Sequence, residues 1–116
     1  RYKMAAMTTV LTAGFPNSGN SRTSFLAGHT AVKPKIVIEK RKVPEGASAV
    51  AESSVKVIMA TQNSNSETLA QKVSFEIVCR YPIQGQASDV TAALAVLRDI
   101  VAGDEFGTAV TTQRWL

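Results

Sequence analysis

Residues 73–106 read VSFEIVCRYPIQGQASDVTAALAVLRDIVAGDEF, and two different periodicities meet in this stretch. Its first part alternates apolar and polar residues, which is typical of a strand with one buried face. Pro82 ends that pattern, and further on the apolar residues recur every three or four positions, as in an amphipathic helix. Together with residues 69–72 before it, the stretch predicts a strand over 69–81 and a helix over 88–102, which Gly103 ends.

Weaker strand signals precede this stretch. Two β-prone runs, separated by a turn rich in Gly, Pro, Asn and Ser, predict an N-terminal hairpin over 4–28, with strands over 4–12 and 22–28. A helix is the weaker alternative for 4–12. Two further strands are predicted over 32–43 and 50–61, with a turn containing Pro and Gly between them. Because the connections between successive strands are short, we expect an antiparallel meander.

The end of the chain is predicted to be helical. Ser88 suits the N-cap position of the first helix, and Asp89 suits the positive end of the helix dipole. After Gly103 the sequence predicts a short second helix around 104–111. Two consecutive helices therefore follow the strands.

Strands first and helices last predict an α+β fold, in which the helices cover one face of an antiparallel sheet. The chain has 116 residues, of which 45% are hydrophobic and 19% are charged, and this size and composition suit one globular domain. That domain is expected over 1–116, with the hairpin over 4–28, the main sheet over 32–81 and the helices over 88–112.

Alternation divides the three long predicted strands into two sides. The apolar side comprises Ile36, Ile38, Val55, Val57, Met59, Val73, Phe75, Ile77 and Cys79. The other side is rich in cations and hydroxyls, and it comprises Lys33, Lys35, Val37, Glu39, Arg41, Ser54, Lys56, Ile58, Ala60, Lys72, Ser74, Glu76, Val78 and Arg80. The predicted helix offers an apolar stripe to cover the first side. The second side suits phosphate and hydroxyl contacts with RNA, and it also fits a solvated sheet face on which Lys and Glu pair across strands.

The last predicted strand leaves an open edge on the sheet. Residues 69–81 have few of the features that blunt an exposed edge before Pro82. Pairing of this edge with the same edge of a second copy is an economical solution, because it produces a two-fold dimer. A helical segment at the C-terminus could then reach the sheet of the partner.

The sequence gives no support for an enzyme. The net charge of +4 is modest and is compatible with an acidic partner. His29 has no evident Asp or Ser partner and is expected at the surface, while Cys79 alternates onto the apolar side as a small hydrophobic residue. No cluster of metal ligands and no bilayer-spanning run is visible. We expect no cofactor, no metal site and no membrane partner.

The order of the elements resembles a known family, the coat proteins of single-stranded RNA bacteriophages (leviviruses). The resemblance is carried by KPKIVIEKR (33–41), VKVIMATQN (55–63) and above all by the stretch 73–106. It covers roughly residues 30–116 and the N-terminal hairpin more loosely.

This resemblance implies a structural function. Members of the family form homodimers with a continuous sheet, and the helices of each subunit pack across the partner. The dimers assemble into icosahedral shells, usually of T=3 type, and the sheet face away from the helices binds genomic RNA, including an operator hairpin. The polar loop 62–67 corresponds to one that gathers around the symmetry axes of the shell. The resemblance thus implies a virion protein that assembles in the cytoplasm of a bacterial host.

The same resemblance implies which residues contact RNA. They are Lys33, Lys35, Val37, Glu39, Arg41, Ser54, Lys56, Lys72, Ser74, Glu76 and Arg80. Val37 is less polar than expected for a family member that recognises one specific hairpin. Lys72 stands where some members place an aromatic residue that stacks on a base. These departures favour charge-based packaging over recognition of one operator. The alternative function is a small dimeric, sheet-based nucleic-acid-binding protein that forms no shell.

Overall fold

The computed structural model describes residues 6–14, 19–42, 45–46 and 49–116. The described residues form β1 (Thr12–Ala13), β2 (Ser21–Phe25), β3 (Lys35–Lys42), β4 (Val50–Met59), β5 (Val73–Pro82), α1 (Ala87–Ala102) and α2 (Asp104–Thr112). The strands form one sheet in the order β1-β2-β3-β4-β5, and every neighbouring pair is antiparallel. The predicted α+β class, the meander and the two C-terminal helices are confirmed.

The chain divides into two compact units. The sheet unit covers Ala6–Ile83 and holds all five strands, and the helical unit contains Gln84–Leu116 with α1 and α2. A single domain over 1–116 stays a prediction.

The N-terminal strand is much shorter than predicted. The prediction placed it over 4–12, of which residues 4 and 5 lie outside the described residues, and β1 begins only at Thr12. Thr12 pairs with Phe25, the last residue of β2. Residues before Thr12 would therefore have to pair with residues beyond the end of β2. Met7 and Val10 are accordingly exposed.

The start of α1 corrects the predicted N-cap. The helix begins at Ala87, so its N-cap is Gln86 and Ser88 lies within the first turn. Gln86 has an extended backbone (φ −70°, ψ 135°), and its carbonyl oxygen accepts hydrogen bonds from the N–H groups of Asp89 and Val90. Gly103 ends α1, as predicted, and it is also the N-cap of α2.

The buried core of the described residues is small. Val37 is their one buried apolar side chain, with 5% of its surface exposed, and it lies opposite the fully buried Ser24 in the β2–β3 ladder. Neither helix buries a residue. Large apolar side chains therefore remain accessible on both units, and Phe75 of β5 is 56% exposed.

His29 contributes to the β2–β3 connection, which corrects the prediction of a plain surface histidine. Its Nδ1 accepts a hydrogen bond from the backbone N–H of Lys35 at 3.0 Å. Its ring stacks on Phe25, with the ring centres 4.2 Å apart and the planes 7° from parallel. The side chain is half-buried and ties the end of β2 to the start of β3.

We expect the two contacts of His29 to be separable by mutation. His29→Phe keeps an aromatic ring against Phe25 but leaves the Lys35 N–H without its acceptor, which costs about 1 kcal/mol. His29→Asn keeps an acceptor near the position of Nδ1 but loses the ring stack, which costs about 0.5–1.5 kcal/mol. Urea unfolding of the two variants and of His29→Ala measures these losses. An Ala variant no less stable than either of the others would contradict this role.

Candidate nucleic-acid interface

The register between β3 and β4 overturns one part of the predicted division into faces. Ile36 lies opposite Ile58, and Ile38 lies opposite Lys56. Residues directly opposite each other in an antiparallel pair have their side chains on the same face. The prediction that Ile36 and Ile38 share a face with the valines of β4 is therefore wrong.

The cause is a difference of one residue in register. Lys35 pairs with Met59 and Lys42 with Glu52, so paired residue numbers sum to 94 throughout, and even-numbered residues of β3 and β4 share a face. The predicted faces required an odd sum. Because side chains alternate with a period of two, a shift of one residue moves every side chain of a strand to the other face. The predicted match between β4 and β5 is correct, as Val57 lies opposite Phe75.

The ladders define two faces of the sheet, which we name by their composition. The apolar face carries Arg22, Ser24, Lys35, Val37, Glu39, Arg41, Ala51, Ser53, Val55, Val57, Met59, Val73, Phe75, Ile77, Cys79 and Tyr81. The charged face carries Ser21, Thr23, Phe25, Ile36, Ile38, Lys40, Lys42, Glu52, Ser54, Lys56, Ile58, Ser74, Glu76, Val78 and Arg80.

The residues predicted to contact RNA are thus distributed over three locations. Those on the charged face are Ser54, Lys56, Ser74, Glu76 and Arg80. Those on the apolar face are Lys35, Val37, Glu39 and Arg41. Lys33 precedes β3 and Lys72 precedes β5, so both lie outside the strands. The predicted set does not form one continuous surface.

The charged face combines excess cations with hydroxyl groups. Its cations are Lys40, Lys42, Lys56 and Arg80, and its carboxylates are Glu52 and Glu76. Arg80 Nε donates to Glu52 Oε1 at 2.6 Å, and the two side chains form an ion pair. Since both side chains are partly exposed, the pair adds little stability and can be rearranged when a stronger anion approaches.

Sequence reasoning missed Lys40 and Lys42. Both are exposed on β3, and Lys40 lies directly opposite Ser54 on β4. Both share their side of β3 with Ile36 and Ile38, and the prediction matched that side to the wrong side of β4. The length of the connection between β3 and β4 helps to set their register, and it is the feature of the sequence that could have placed these lysines on the charged face.

Other kinds of site have no support in the described residues. No group of three or more His, Cys, Asp or Glu side chains is placed to hold a metal ion there. Cys79 is a free, half-buried thiol on the apolar face, in agreement with its predicted alternation. Within the described chain, neither helix has the length and apolar character that a membrane crossing requires.

Comparison with known proteins finds similar structures but no similar sequence. No family model matches the chain, and no curated protein matches it. The similar solved structures include the virus-like particle of Wenzhou levi-like virus 4, with a TM-score of 0.76 and 13% identity over 93% of this chain and 77% of that one.

Two further similar structures cover almost the whole of both chains. The virus-like particle of bacteriophage GQ-907 has a TM-score of 0.74 and 10% identity over 100% of this chain and 90% of the other. The coat protein of bacteriophage EMS014 has a TM-score of 0.66 and 11% identity over 97% and 99%. These proteins are named as coat proteins or virus-like particles and not as enzymes. The chain has the fold of levi-like phage coat proteins, which confirms the predicted resemblance.

Proposed function

We propose that this chain is the coat subunit of an RNA phage, which forms homodimers that assemble into a closed shell around single-stranded RNA. The observation that carries the proposal is the shared fold, because virus-like particles match this chain over 93% to 100% of its length. The resemblance in sequence pattern adds a T=3 shell, presence in the virion and assembly in the host cytoplasm to the proposal.

The dimer is supported by the edge of the sheet. β5 is the last strand in the order, and along its ten residues the only proline is the final one, Pro82. Its outer edge therefore carries backbone N–H and C=O groups that a second β5 could pair in antiparallel fashion. A two-fold axis at this edge joins two five-stranded sheets into one of ten strands.

The exchange of helices is supported by exposed apolar surface on both units. On the apolar face, Phe75, Ile77 and Val55 are each 40% or more exposed. In the helical unit, Leu94 and Val96 of α1 are 41% and 60% exposed. Burial stabilises by about 1.5–3 kcal/mol for each large apolar side chain, so a partner's helices on the apolar face would remove a large cost from both units.

RNA binding is assigned to the charged face, because helices on the apolar face leave the opposite one open. Lysines and arginine can contact phosphates, and the hydroxyl of Ser74 can bond phosphate, ribose or base. The proposed contact residues are Lys40, Lys42, Lys56, Ser74 and Arg80, and Ser54 leaves the set because it is buried. Lys35 and Arg41 leave the proposed site, because they lie on the apolar face, which the partner's helices cover in this proposal.

The loop between β4 and β5 is proposed to meet its symmetry mates in the shell. A bridge between Gln62 and Thr68 closes the loop, and Asn63 Oδ1 accepts the N–H groups of Asn65 and Glu67 at 2.9 and 3.1 Å. Such local side-chain bonds hold a polar loop tip together without using its outer surface. The tip is thereby available for contacts between subunits.

Electron microscopy of the purified protein tests the main proposal. We expect closed particles that contain nuclease-protected RNA. Dimers without particles under all assembly conditions would favour the alternative, a small dimeric nucleic-acid-binding protein. Monomers that bind no RNA would contradict both functions.

Adjacent residues of β5 provide a matched test of the dimer. Ile77 and Val78 are both 40% exposed but lie on opposite faces. We expect Ile77→Asp to weaken the dimer by about 3 kcal/mol or more, since it places an unpaired carboxylate under apolar helices. Val78→Asp should weaken the dimer much less, because its carboxylate lies on the solvated charged face. Sedimentation velocity over a concentration series distinguishes the two, and equal losses would show that the partner's helices do not cover the apolar face.

Two pairs of lysines test which face binds RNA. The double variant Lys40→Ala, Lys42→Ala removes two cations from the charged face. The double variant Lys33→Ala, Lys35→Ala removes two cations that the sequence predicted to contact RNA but that lie outside the charged face. For the first pair we expect weaker binding of single-stranded RNA and a salt-dependence slope smaller by about 1.4, because two phosphate contacts are lost. The second pair should bind nearly as the unmodified protein does. The reverse result would restore the original site.

A further inference from the structure

A cavity of about 480 Å³ lies at the end of the sheet where β2 begins. Among its lining residues, Arg22, Glu39 and Val55 form one cross-strand row, and Arg41 and Ser53 form the next. Both rows belong to the apolar face, and the row between them, Ser21, Lys40 and Ser54, also lines the cavity although its side chains lie on the charged face. We call this cavity the arginine pocket.

The arginine pocket has a surplus of positive charge. Two guanidinium groups, those of Arg22 and Arg41, lie beside one carboxylate, that of Glu39. Arg41 Nη2 donates a long hydrogen bond to the carbonyl oxygen of Gly19 at 3.4 Å. Neither arginine forms an ion pair with Glu39 in the described part of the chain, and both arginines are exposed. A pocket of this kind can take a carboxylate in the bidentate geometry that arginine favours.

The helical unit carries the opposite charge. Residues 84–116 contain four acidic side chains and two arginines. Three of the acids lie close in sequence to Gly103, where α1 ends and α2 begins, and all three are exposed: Asp99, Asp104 and Glu105. We call these three residues the acidic corner. The sheet and the helices of one chain are thus complementary in charge.

The length of α1 suits delivery of the acidic corner to the pocket of a partner. Only four residues separate the end of β5 from the start of α1, and the 16 residues of α1 span about 24 Å at 1.5 Å per residue. Strands in a sheet are about 4.8 Å apart, so in a dimer joined at β5 the partner's β3 and β2 lie about 14 and 19 Å from this β5. A helix that crosses the partner's strands ends above the pair of strands that hold Arg22 and Arg41.

We infer that the arginine pocket receives the acidic corner of a second copy of this chain. This inference rests on the proposed dimer and adds an electrostatic contact that fixes how far the helices advance over the partner. Apolar contacts between Val, Ile and Leu side chains constrain sliding only weakly, whereas ion pairs at a defined place penalise other positions and other partners. The pocket is thereby a determinant of partner choice and of helix position.

Charge reversal in two separate chains tests this contact. The first variant carries Arg22→Glu and Arg41→Glu, and the second carries Asp99→Lys and Glu105→Lys. Each variant alone should dimerise about tenfold or more weakly than the unmodified chain, because both of its pockets then face like charges. An equimolar mixture should form heterodimers with the affinity restored, because the reversed pocket meets reversed helices and the unmodified pocket meets unmodified helices.

Two controls make the result specific. Lys33→Glu with Lys72→Glu changes the net charge as much as the first variant does, but outside the strands, and it should dimerise as the unmodified chain does. Circular dichroism checks that each variant is folded. Should a reversal prevent folding, the neutral changes Arg22→Gln and Asp99→Asn, alone and combined, give a mutant cycle in which a direct contact produces non-additive losses.

The outcomes separate this inference from the proposed function. An unmodified dimer whose affinity is insensitive to both reversals would overturn the contact and leave the coat-protein proposal standing. Weakened variants whose mixture recovers nothing would also overturn it, because the pocket would then meet the acidic corner of its own chain. An unmodified chain that forms neither dimers nor particles would overturn the contact and the proposed function together.

Discussion

The pairing of β3 with β4 is the constraint on which the remaining interpretation depends. The register of this pairing, in which paired residue numbers always sum to 94, fixes which side chains share a face. With this register the surface around β4 and β5 collects valine, isoleucine and phenylalanine on one side and serine, lysine, glutamate and arginine on the other. A shift of one residue would put Lys40 and Lys42 on the side of Phe75 and would leave two charges inside any surface that the helices cover.

A second constraint is the shortage of burial within one chain. In the described residues, one apolar side chain is buried, while both helices and the apolar face keep large apolar groups accessible. A chain of this length normally buries about two thirds of the surface that its unfolded form exposes. The proposed association with a second copy would bury this apolar surface and pair the open edge of β5. Such a dimer would also couple folding to assembly, because each chain would gain stability from its partner.

Most of the architecture could be predicted from the sequence, and the site could not. Alternation identified β3, β4 and β5, helical periodicity and Gly103 identified the two helices, and short connections predicted the meander. Those signals are local, and each is read within one element. The match between faces of neighbouring strands depends on the length and shape of the connection after Lys42, and the Pro, Glu, Gly and Ser residues there allow several turn lengths. The hydrogen bond between His29 and the Lys35 N–H escaped prediction for a related reason, since it needs the folded turn that brings the two residues together.

The comparisons indicate which of these features the fold requires. Chains with 10% to 13% identity to this one share its fold at TM-scores of 0.66 to 0.76. Identity that low leaves few specific contacts in common, so the shared determinants are the order of elements, the alternation of the strands and the periodicity of the helices. Charged residues at the border of the apolar face, such as Arg22 and Arg41, lie outside that minimal pattern. Because the fold does not dictate them, such positions can differ between chains that share it. Complementary charges on the sheet and the helices can therefore favour association between copies of the same chain over association with a relative of the same fold.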